Sequence, residues 1–277
     1  MIRLNASAVA IAMVAGMPGI ASAADTAPEI KVPEVSVKDA EGWYVRGDVG
    51  YAVKSNHRDT RVRSYDPANG DYSSSNFDSS RFDGNDFSGG LGVGYQFNDL
   101  IRADITGDLF GGDFDGKFSS TAPCAGGTGG TGCSSKTSSS FRAGSLMVNG
   151  YVDLGTLAGF TPYVGAGIGA TRVNWDNVNA TSSCVDGAIG CGGAGSTSAR
   201  YPGESDWRMT YALMAGVSYD ITPNMKFDLG YRYSHVAGGD MFGYSSADSS
   251  AGASGTMGRD GAINRHEIRV GLRVATW

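Results

Sequence analysis

The stretch that decides the fold is FSGGLGVGYQF, residues 87–97. Its odd positions carry Phe87, Leu91, Val93, Tyr95 and Phe97 together with one glycine, whereas its even positions carry only Ser, Gly and Gln. Successive side chains of a strand point to opposite faces, so this period of two predicts a strand with one apolar face and one small or polar face. Similar segments recur along the chain, and they suit a soluble sandwich or lipocalin-type barrel as well as a closed barrel in lipid.

The start of the chain indicates the compartment. Residues 1–23 carry Arg3, continue with an apolar run and end in Ala21-Ser22-Ala23, which is typical of a removable secretory signal. A membrane anchor is the weaker alternative, because two glycines and a proline interrupt the run. Residues 24–41 contain Pro28 and Pro33 and predict an extended periplasmic leader, which leaves 42–277 as the folded domain.

The composition narrows the class of protein. The chain has 43 glycines and only 18% charged residues, and each glycine inside a helix costs roughly 1 kcal/mol. After the signal there is no run of about twenty apolar residues, so a closed barrel is the main remaining way to span a membrane. The net charge of -6 gives no electrostatic footprint for nucleic acid, and we expect no nucleic-acid partner.

The order of the connections separates the alternatives. Connections after the second, fourth and sixth predicted strands are short, whereas those after the first, third, fifth and seventh have about 25 to 30 residues rich in Ser, Gly, Asp and Thr. This asymmetry predicts an all-β, eight-stranded antiparallel up-and-down transmembrane β-barrel with four long extracellular loops and three short periplasmic turns. The predicted strands are 43–54, 86–97, 100–110, 141–154, 161–175, 207–220, 225–236 and 263–277.

The face opposite the apolar residues carries balanced charge. An unpaired buried charge costs several kcal/mol, so equal numbers of acids and bases on that face predict a paired charge network in the lumen. In a soluble barrel these residues would form the solvated outside, but the aromatic residues would then overfill an eight-stranded interior. The predicted lumen residues are Arg46, Asp48, Arg102, Asp104, Asp108, Asp153, Lys226, Asp228, Arg232, Glu267, Arg269 and Arg273.

Aromatic residues near the strand ends predict girdles at the two membrane interfaces. The alternative is that some of them pack under loops. The predicted set is Trp175, Trp207 and Phe141 towards the long loops, and Phe97, Tyr163, Tyr219 and Trp277 towards the short turns.

The four cysteines lie in two polar segments, and an oxidising periplasm would let them pair. Four cysteines allow three pairings. We favour the local disulfides Cys124–Cys133 and Cys184–Cys191, which need no long-range assumption. A metal site is the alternative, but the spacings are not those of a Cys-x-x-Cys motif and no His lies in either segment.

Several short motifs resemble one known group. The segments GWYVRGDVGY (42–51), PYVGAGIG (162–169), AGVSY (215–219) and LGYRY (229–233) are together similar to the small opacity-type outer-membrane proteins, above all the 25 and 31 kDa surface antigens of alphaproteobacteria. The resemblance implies a small porin-like eight-stranded barrel with exposed variable loops and no catalytic residues. The likeness spans nearly the whole mature chain.

The chain departs from that group at its last strand. Members usually end Val-Gly-Leu-x-Tyr-x-Phe, whereas residues 270–277 read VGLRVATW. The extra residue moves the last aromatic off the apolar face, so we predict a bulge or a frayed turn near Ala275. The barrel-insertion machinery is an expected partner of this strand, and the shift bears on its recognition.

Two sequence features carry alternative chemistry. Ser234, His235, His266 and Glu267 fall close together in the last predicted hairpin and could form a lipid A deacylase. The two histidines could also bind a metal or haem iron. Strand parity instead sends Ser234 inward and His235 outward, which favours interfacial histidines, no enzyme and no cofactor. Residues 57–63 (HRDTRVR) could clamp lipopolysaccharide phosphates, although a solvated loop explains them too.

The sequence therefore predicts a surface protein of the bacterial outer membrane, in contact with outer-membrane lipid and lipopolysaccharide. An envelope-structural role is favoured, with a narrow small-solute pore if the inward glycines leave space between the charges. The alternative is a receptor or adhesin that binds haem, another small molecule or host matrix through its loops, and a lipid-A-modifying enzyme is less well supported.

Overall fold

The computed structural model describes residues 41–58, 60–77, 79–83, 87–120, 132–185 and 196–276. The predicted signal peptide and nearly all of the predicted leader lie outside these residues. The described chain is almost entirely β-structure, with one helix, α1 (Ser246–Ser250), and none of its helices could cross a membrane. The strands are β1 (Gly42–Arg58), β2 (Arg61–Asp66), β3 (Asp71–Asn76), β4 (Ser79–Asp83), β5 (Phe87–Gln96), β6 (Ile101–Ser120), β7 (Cys133–Asp153), β8 (Phe160–Trp175), β9 (Val178–Cys184), β10 (Ser196–Tyr201), β11 (Ser205–Thr222), β12 (Met225–Gly243) and β13 (Thr256–Ala275).

The strand count differs from the predicted eight. Within the described residues the sheet has 13 strands, because five short strands of 5 to 7 residues lie in segments that the sequence marks as loops without strands. These strands are rich in Ser and polar residues and lack a clear apolar alternation. In addition, β6 and β7 continue past their predicted ends and pair as far as Ser120 opposite Cys133.

The longer strands pair in a continuous antiparallel series. It runs β1–β5–β6–β7–β8–β11–β12–β13 and returns to β1. Each of these strands has a neighbour on both sides, which satisfies backbone groups that an open sheet edge would leave unpaired. Their connections at one end are short; we call this the short-turn end, and the opposite end, with the connections after β1, β6, β8 and β12, the long-loop end.

The two faces of these strands have opposite character. On β7, Leu146, Val148 and Val152 are exposed, whereas the alternate residues Ser145 and Asn149 are buried. The outward face is therefore apolar and the inward face largely polar, the reverse of a soluble barrel. A continuous exposed apolar surface of this kind is stable only when lipid covers it.

The aromatic residues of the predicted girdles divide between the two faces of the strands, and the prediction is wrong for those on the inward face. Trp207, Phe97 and Tyr219 are exposed on the outward face, whereas Tyr163 is buried inside. Trp175 and Phe141 are also buried, in an apolar cluster that we call the plug, so they are not interface residues. The plug consists of Phe114, Phe141, Ala143, Val173, Trp175, Val178, Val236, Met241, Phe242 and Ile263.

The last strand keeps its register to its end. Ala275 pairs with Tyr44 without a shift, its N–H donates to the Asn224 carbonyl at 2.8 Å, and the Thr276 N–H donates to the Trp43 carbonyl at 3.0 Å. The predicted bulge or frayed turn near Ala275 is therefore wrong within the described residues. Trp277 itself lies outside them.

Candidate functional site: the polar interior

The interior of the barrel is the densest concentration of polar side chains in the described chain. Alternation along the long strands aims these residues inward, and the antiparallel register brings distant parts of the sequence together. Arg46 on β1 illustrates the result: it contacts acids on both β1 and β6. The interior is described below from the short-turn end upward.

Arg102 occupies the interior near the short-turn end. Its Nε donates to Asp153 Oδ1 at 3.1 Å, and its side chain is almost fully buried. The guanidinium carbon lies 4.0 Å from the ring centre of Tyr151 and 4.8 Å from that of Tyr163. Two aromatic faces thus stabilise this cation in addition to the carboxylate.

Arg273 and Asp228 form a second pair at 3.2 Å near the same end. Arg273 also donates to the Ser218 hydroxyl at 2.9 Å, and that hydroxyl donates to Asp228. Lys226 is different, because it pairs with Asp220 at 2.5 Å and both side chains are partly exposed. Of the twelve predicted lumen residues, Lys226 is therefore at the rim.

Arg46 is the centre of a five-residue group higher in the interior. Its guanidinium donates to Asp48 through Nε (2.9 Å) and Nη2 (2.7 Å), a forked arrangement, while Nη1 donates to Asp104 at 2.9 Å. Tyr44 and Tyr151 complete the group through their hydroxyls, which contact Asp104 and Arg46. Charge-assisted forked hydrogen bonds are among the strongest available to a protein.

Asp108 lies between two arginines at mid-height. Arg232 donates to Oδ2 at 2.9 Å and Arg269 donates to Oδ1 at 2.6 Å. Nearby, Glu267 accepts from Arg265 at 2.8 Å and from Ser88 at 2.7 Å. The structure thus brings eleven of the twelve predicted residues into buried ion pairs and places the remaining one, Lys226, at the rim.

Sequence reasoning missed a further pair towards the long-loop end. Arg208 donates through Nη1 to Asp260 at 2.7 Å and through Nε to Asp206 at 2.8 Å. Arg265 was also missed. Both arginines share the parity of known inward residues, Thr210 and Glu267, and that parity was the available signal.

The plug closes the space above these ion pairs. Phe114, Trp175 and Phe141 pack edge-on or tilted with ring centres 4.9 to 6.1 Å apart. Below it, the interior cavity beside Arg46 and Asp228 has a volume of about 20 Å³, and the one beside Asp108 and Glu267 about 10 Å³. A site of that size holds about one water molecule, so in these two places the side chains leave little free space.

The predicted alternative chemistry is not assembled in the described residues. Ser234 is buried on the inward face, whereas His235 lies on the other face and its Nδ1 contacts Asn264 Oδ1 at 2.7 Å. His266 contacts the hydroxyl of Tyr231. Among the described residues, no group of three or more His, Cys, Asp or Glu side chains is arranged to hold a metal.

The basic segment 57–63 lies partly outside the residues whose side chains are described. Of those that are, Arg63 stacks on Tyr72, with the guanidinium carbon 3.6 Å from the ring centre. Tyr72 and Tyr65 on the β2–β3 hairpin in turn hydrogen-bond Ser254 and Ala251 in the last long loop. Tyr65 and Tyr72 therefore join two loops, and Arg63 packs against one of them.

The two described cysteines lie side by side. Cys133 at the start of β7 is the register partner of Cys184 at the end of β9, and both are buried in contact with each other. Cys124 and Cys191 lie outside the described residues, so the local pairing stays a prediction.

Comparison with known proteins identifies the class. A family model, the outer membrane protein beta-barrel domain, matches residues 8–272. An uncharacterized protein of Brucella abortus (strain 2308) is 36% identical over 91% of this chain and 92% of its own length. A protein of Rickettsia bellii (strain OSU 85-389), whose name proposes an adhesin, is 28% identical over 70% of this chain and 72% of its own length.

Among solved structures, Neisserial surface protein A is similar with 18% identity and a TM-score of 0.45, covering 84% of this chain and 97% of that one. The family match spans almost the whole chain, and it agrees with the apolar outward face described above. The chain belongs to the outer membrane protein beta-barrel domain family and is a multi-pass β-barrel of the bacterial outer membrane.

Proposed function

We propose that this protein is an eight-stranded transmembrane barrel of the opacity-type surface-antigen group, with long loops outside the cell, and that it serves as an envelope-structural surface protein with a closed lumen. The returning series of eight paired strands supports the strand number. The three short connections, residues 97–100, 154–159 and 223–224, fit periplasmic turns.

The observation that carries a closed lumen is the filled interior. Buried ion pairs occupy the interior at several heights, from Arg102–Asp153 near the short-turn end to Arg232–Asp108 at mid-height, and the plug covers the long-loop end. A conducting pore would need a continuous water-filled path, whereas the cavities between these layers hold about one water each. A small-solute pore is therefore the weaker reading of this barrel.

Planar-bilayer recording tests this proposal. We expect no large ohmic steps from the refolded protein. A variant with Arg46→Ser and Arg102→Ser shortens two side chains that cross the interior but keeps the plug, so it should also show no large steps. Heat-modifiable gel mobility verifies that both proteins are closed barrels. Large steps from the unmodified protein would contradict a closed lumen.

The orientation needs its own test. An epitope tag inserted within 251–255, in the last long loop, should be accessible to antibody on intact cells. A tag inserted in the 154–159 turn should be accessible only after the outer membrane is permeabilised. The opposite result would place the long loops in the periplasm and overturn the surface role.

A second candidate function is adhesion or reception through the loops. One specific observation favours it: the β2–β3 hairpin is held against the last long loop by Tyr65 and Tyr72, which gives a firm surface rather than separate loops. The name of the Rickettsia relative points the same way. Binding of tagged cells to immobilised host matrix proteins, with and without the β2–β3 hairpin, tests it; equal binding would exclude this hairpin.

A catalytic role has the least support. Ser234 and His235 lie on opposite faces of β12, so they cannot act on one substrate atom together. We expect no fatty acid release from lipid A by the purified protein, and release would overturn this reading.

A further inference from the structure

Two arginines stand apart from all those of the interior. Arg142 on β7 and Arg172 on β8 are exposed, and each alternates with buried neighbours such as Phe141 and Val173. Both therefore lie on the outward, apolar face of the barrel. An arginine on that face must lie where polar groups are available, because lipid tails cannot solvate it.

The register makes the two arginines neighbours. Arg142 pairs with Asn174, and Arg172 pairs with Gly144, so the arginines are diagonal partners on the same face of the sheet. Such partners are about 7–8 Å apart at Cα. Gly144, opposite Arg172, has no side chain, and the side chain of Leu109 lies next to it on this face. The two guanidinium groups can thus reach one common ligand.

An exposed tryptophan flanks this pair. Trp207 is the register partner of Arg172 on β11, and the guanidinium carbon lies 6.0 Å from its ring centre. Tryptophan is enriched at the level of lipid headgroups, where its apolar ring and polar N–H both find suitable surroundings. Trp207 therefore indicates the depth at which the two arginines lie.

The apolar band supports the same depth. Towards the short-turn end, the next large apolar residues on the outward face of these three strands are Leu146, Ile168 and Met209, and all three are more than half exposed. No large apolar residue follows on the outward face of β7 or β8 beyond the arginines. The two arginines thus lie at the edge of the apolar band that is nearer the long-loop end.

Their charge is not neutralised by the protein. Within the described part of the chain neither arginine forms an ion pair, whereas the interior arginines all do. Arg172 makes one hydrogen bond, from Nε to Asn174 Oδ1 at 3.3 Å, which leaves its terminal amino groups available. A guanidinium is a planar fork that matches a phosphate group.

We propose that Arg142 and Arg172, with Trp207 beside them, bind the phosphates of lipopolysaccharide in the outer leaflet. This inference rests on the proposed orientation, because only long loops outside the cell bring the pair to that leaflet. It assigns the lipid contact to the barrel wall, not to the basic segment 57–63 considered from sequence.

Calorimetric titration of the refolded barrel in non-ionic detergent with diphosphoryl lipid A tests the site. We expect Arg142→Gln/Arg172→Gln to weaken binding about tenfold or more, since at least one charge-assisted hydrogen bond to phosphate is lost. The control Lys136→Gln/Arg200→Gln removes the same charge from exposed positions on β7 and β10 and should bind within about twofold of the unmodified protein. Heat-modifiable mobility verifies folding of each variant.

Two further probes decide the ligand. Lipid A without phosphates should bind the unmodified protein as weakly as the double variant binds lipid A, and phosphatidylglycerol should bind it at least about tenfold more weakly. The proposal would be overturned if both double variants bound lipid A equally well. It would also be overturned if the unmodified protein bound lipid A without phosphates, or phosphatidylglycerol, as tightly as diphosphoryl lipid A. If the tag experiment shows long loops outside and the titration fails, the lipid site alone is wrong; if the tags are reversed, the proposed function falls.

Discussion

Arg232 and Asp108 are 124 residues apart in the chain, yet Nη1 of the arginine donates to Oδ2 of the aspartate at 2.9 Å inside the barrel. The other oxygen of Asp108 accepts from Arg269 at 2.6 Å. One carboxylate thus joins strands β6, β12 and β13. Both cations are largely buried, so Asp108 neutralises two arginines inside the barrel.

Replacing Asp108 by Asn should destabilise the barrel by about 3–5 kcal/mol, since it leaves two buried cations without a full negative partner. Urea unfolding in lipid vesicles, followed by tryptophan fluorescence, measures this loss. The control is Asp220→Asn, which breaks the partly exposed pair with Lys226 and should cost at most about 1 kcal/mol. Equal and small losses in both variants would show that the interior pairs contribute little.

The sequence predicts which face of each strand a residue lies on, but it does not predict how the residues at the ends of the barrel pack. Alternation alone places Leu91 and Val93 outside, and Asp104 and Arg232 inside, because a strand has a strict period of two. Phe141, Tyr163 and Trp175 share the parity of inward residues, so that same rule would have placed them inside. Their position near strand ends favours a girdle instead, and position along the chain does not distinguish a girdle from a buried cluster.

Other features could not be read from the sequence. The short strands β9 and β10 consist largely of Ser, Thr, Asn and Ala, so no apolar alternation marks them. Which acid pairs with which arginine depends on how strands that are not neighbours in the sheet, such as β6 and β12, face each other across the lumen. The sequence likewise does not show that Arg142 and Arg172 are neighbours on the outward face, because this depends on the register of β7 and β8.

Disulfide mapping provides a second prediction. Digestion without reduction, followed by mass spectrometry, should give the linked peptides Cys124–Cys133 and Cys184–Cys191, because each closes a short segment in an oxidising compartment. The register offers a competitor, since Cys133 lies opposite Cys184 at a separation that a disulfide can bridge. A Cys133–Cys184 peptide would therefore contradict the local pairing and show that the bond links β7 to β9.

Glu204, in the loop segment between β10 and β11, predicts a pH dependence. Burial, and then the carboxylates of Asp240 and Asp206, raise the pKa of Glu204 above its usual 4.5. Because the pKa of Glu204 is higher in the folded than in the unfolded protein, its protonation stabilises the fold. This contribution is fully present below the unfolded pKa and is lost as the pH rises through the folded pKa. The folded loop is therefore more stable when the Glu204 carboxyl is neutral.

Glu204→Gln should consequently slow amide exchange in the loop at pH 7.5 and leave it unchanged near pH 4. The readout is the ratio of amide exchange between variant and unmodified protein at Glu204 and Trp175, whose backbone groups hydrogen-bond to Met241 and Glu204. Asp176→Asn, an equal charge change at an exposed neighbouring position, is the control. A ratio that does not change with pH would contradict the assigned shift.

The contact between the β2–β3 hairpin and the last long loop predicts a local change in dynamics. The Tyr72 hydroxyl accepts from the Ser254 N–H at 2.9 Å, and its ring lies against Arg63. Tyr72→Phe keeps the ring but removes the acceptor, which should speed amide exchange at Ser254 about fivefold, the equivalent of one hydrogen bond of roughly 1 kcal/mol. Tyr72→Ala should speed it further, because the stacking with Arg63 is lost as well. Tyr95→Phe removes a hydroxyl that bonds to Glu41 at the short-turn end and should leave Ser254 unchanged. Exchange at Ser254 that is the same in all four proteins would show that the two loops are independent, and a surface built from both would then lose its support.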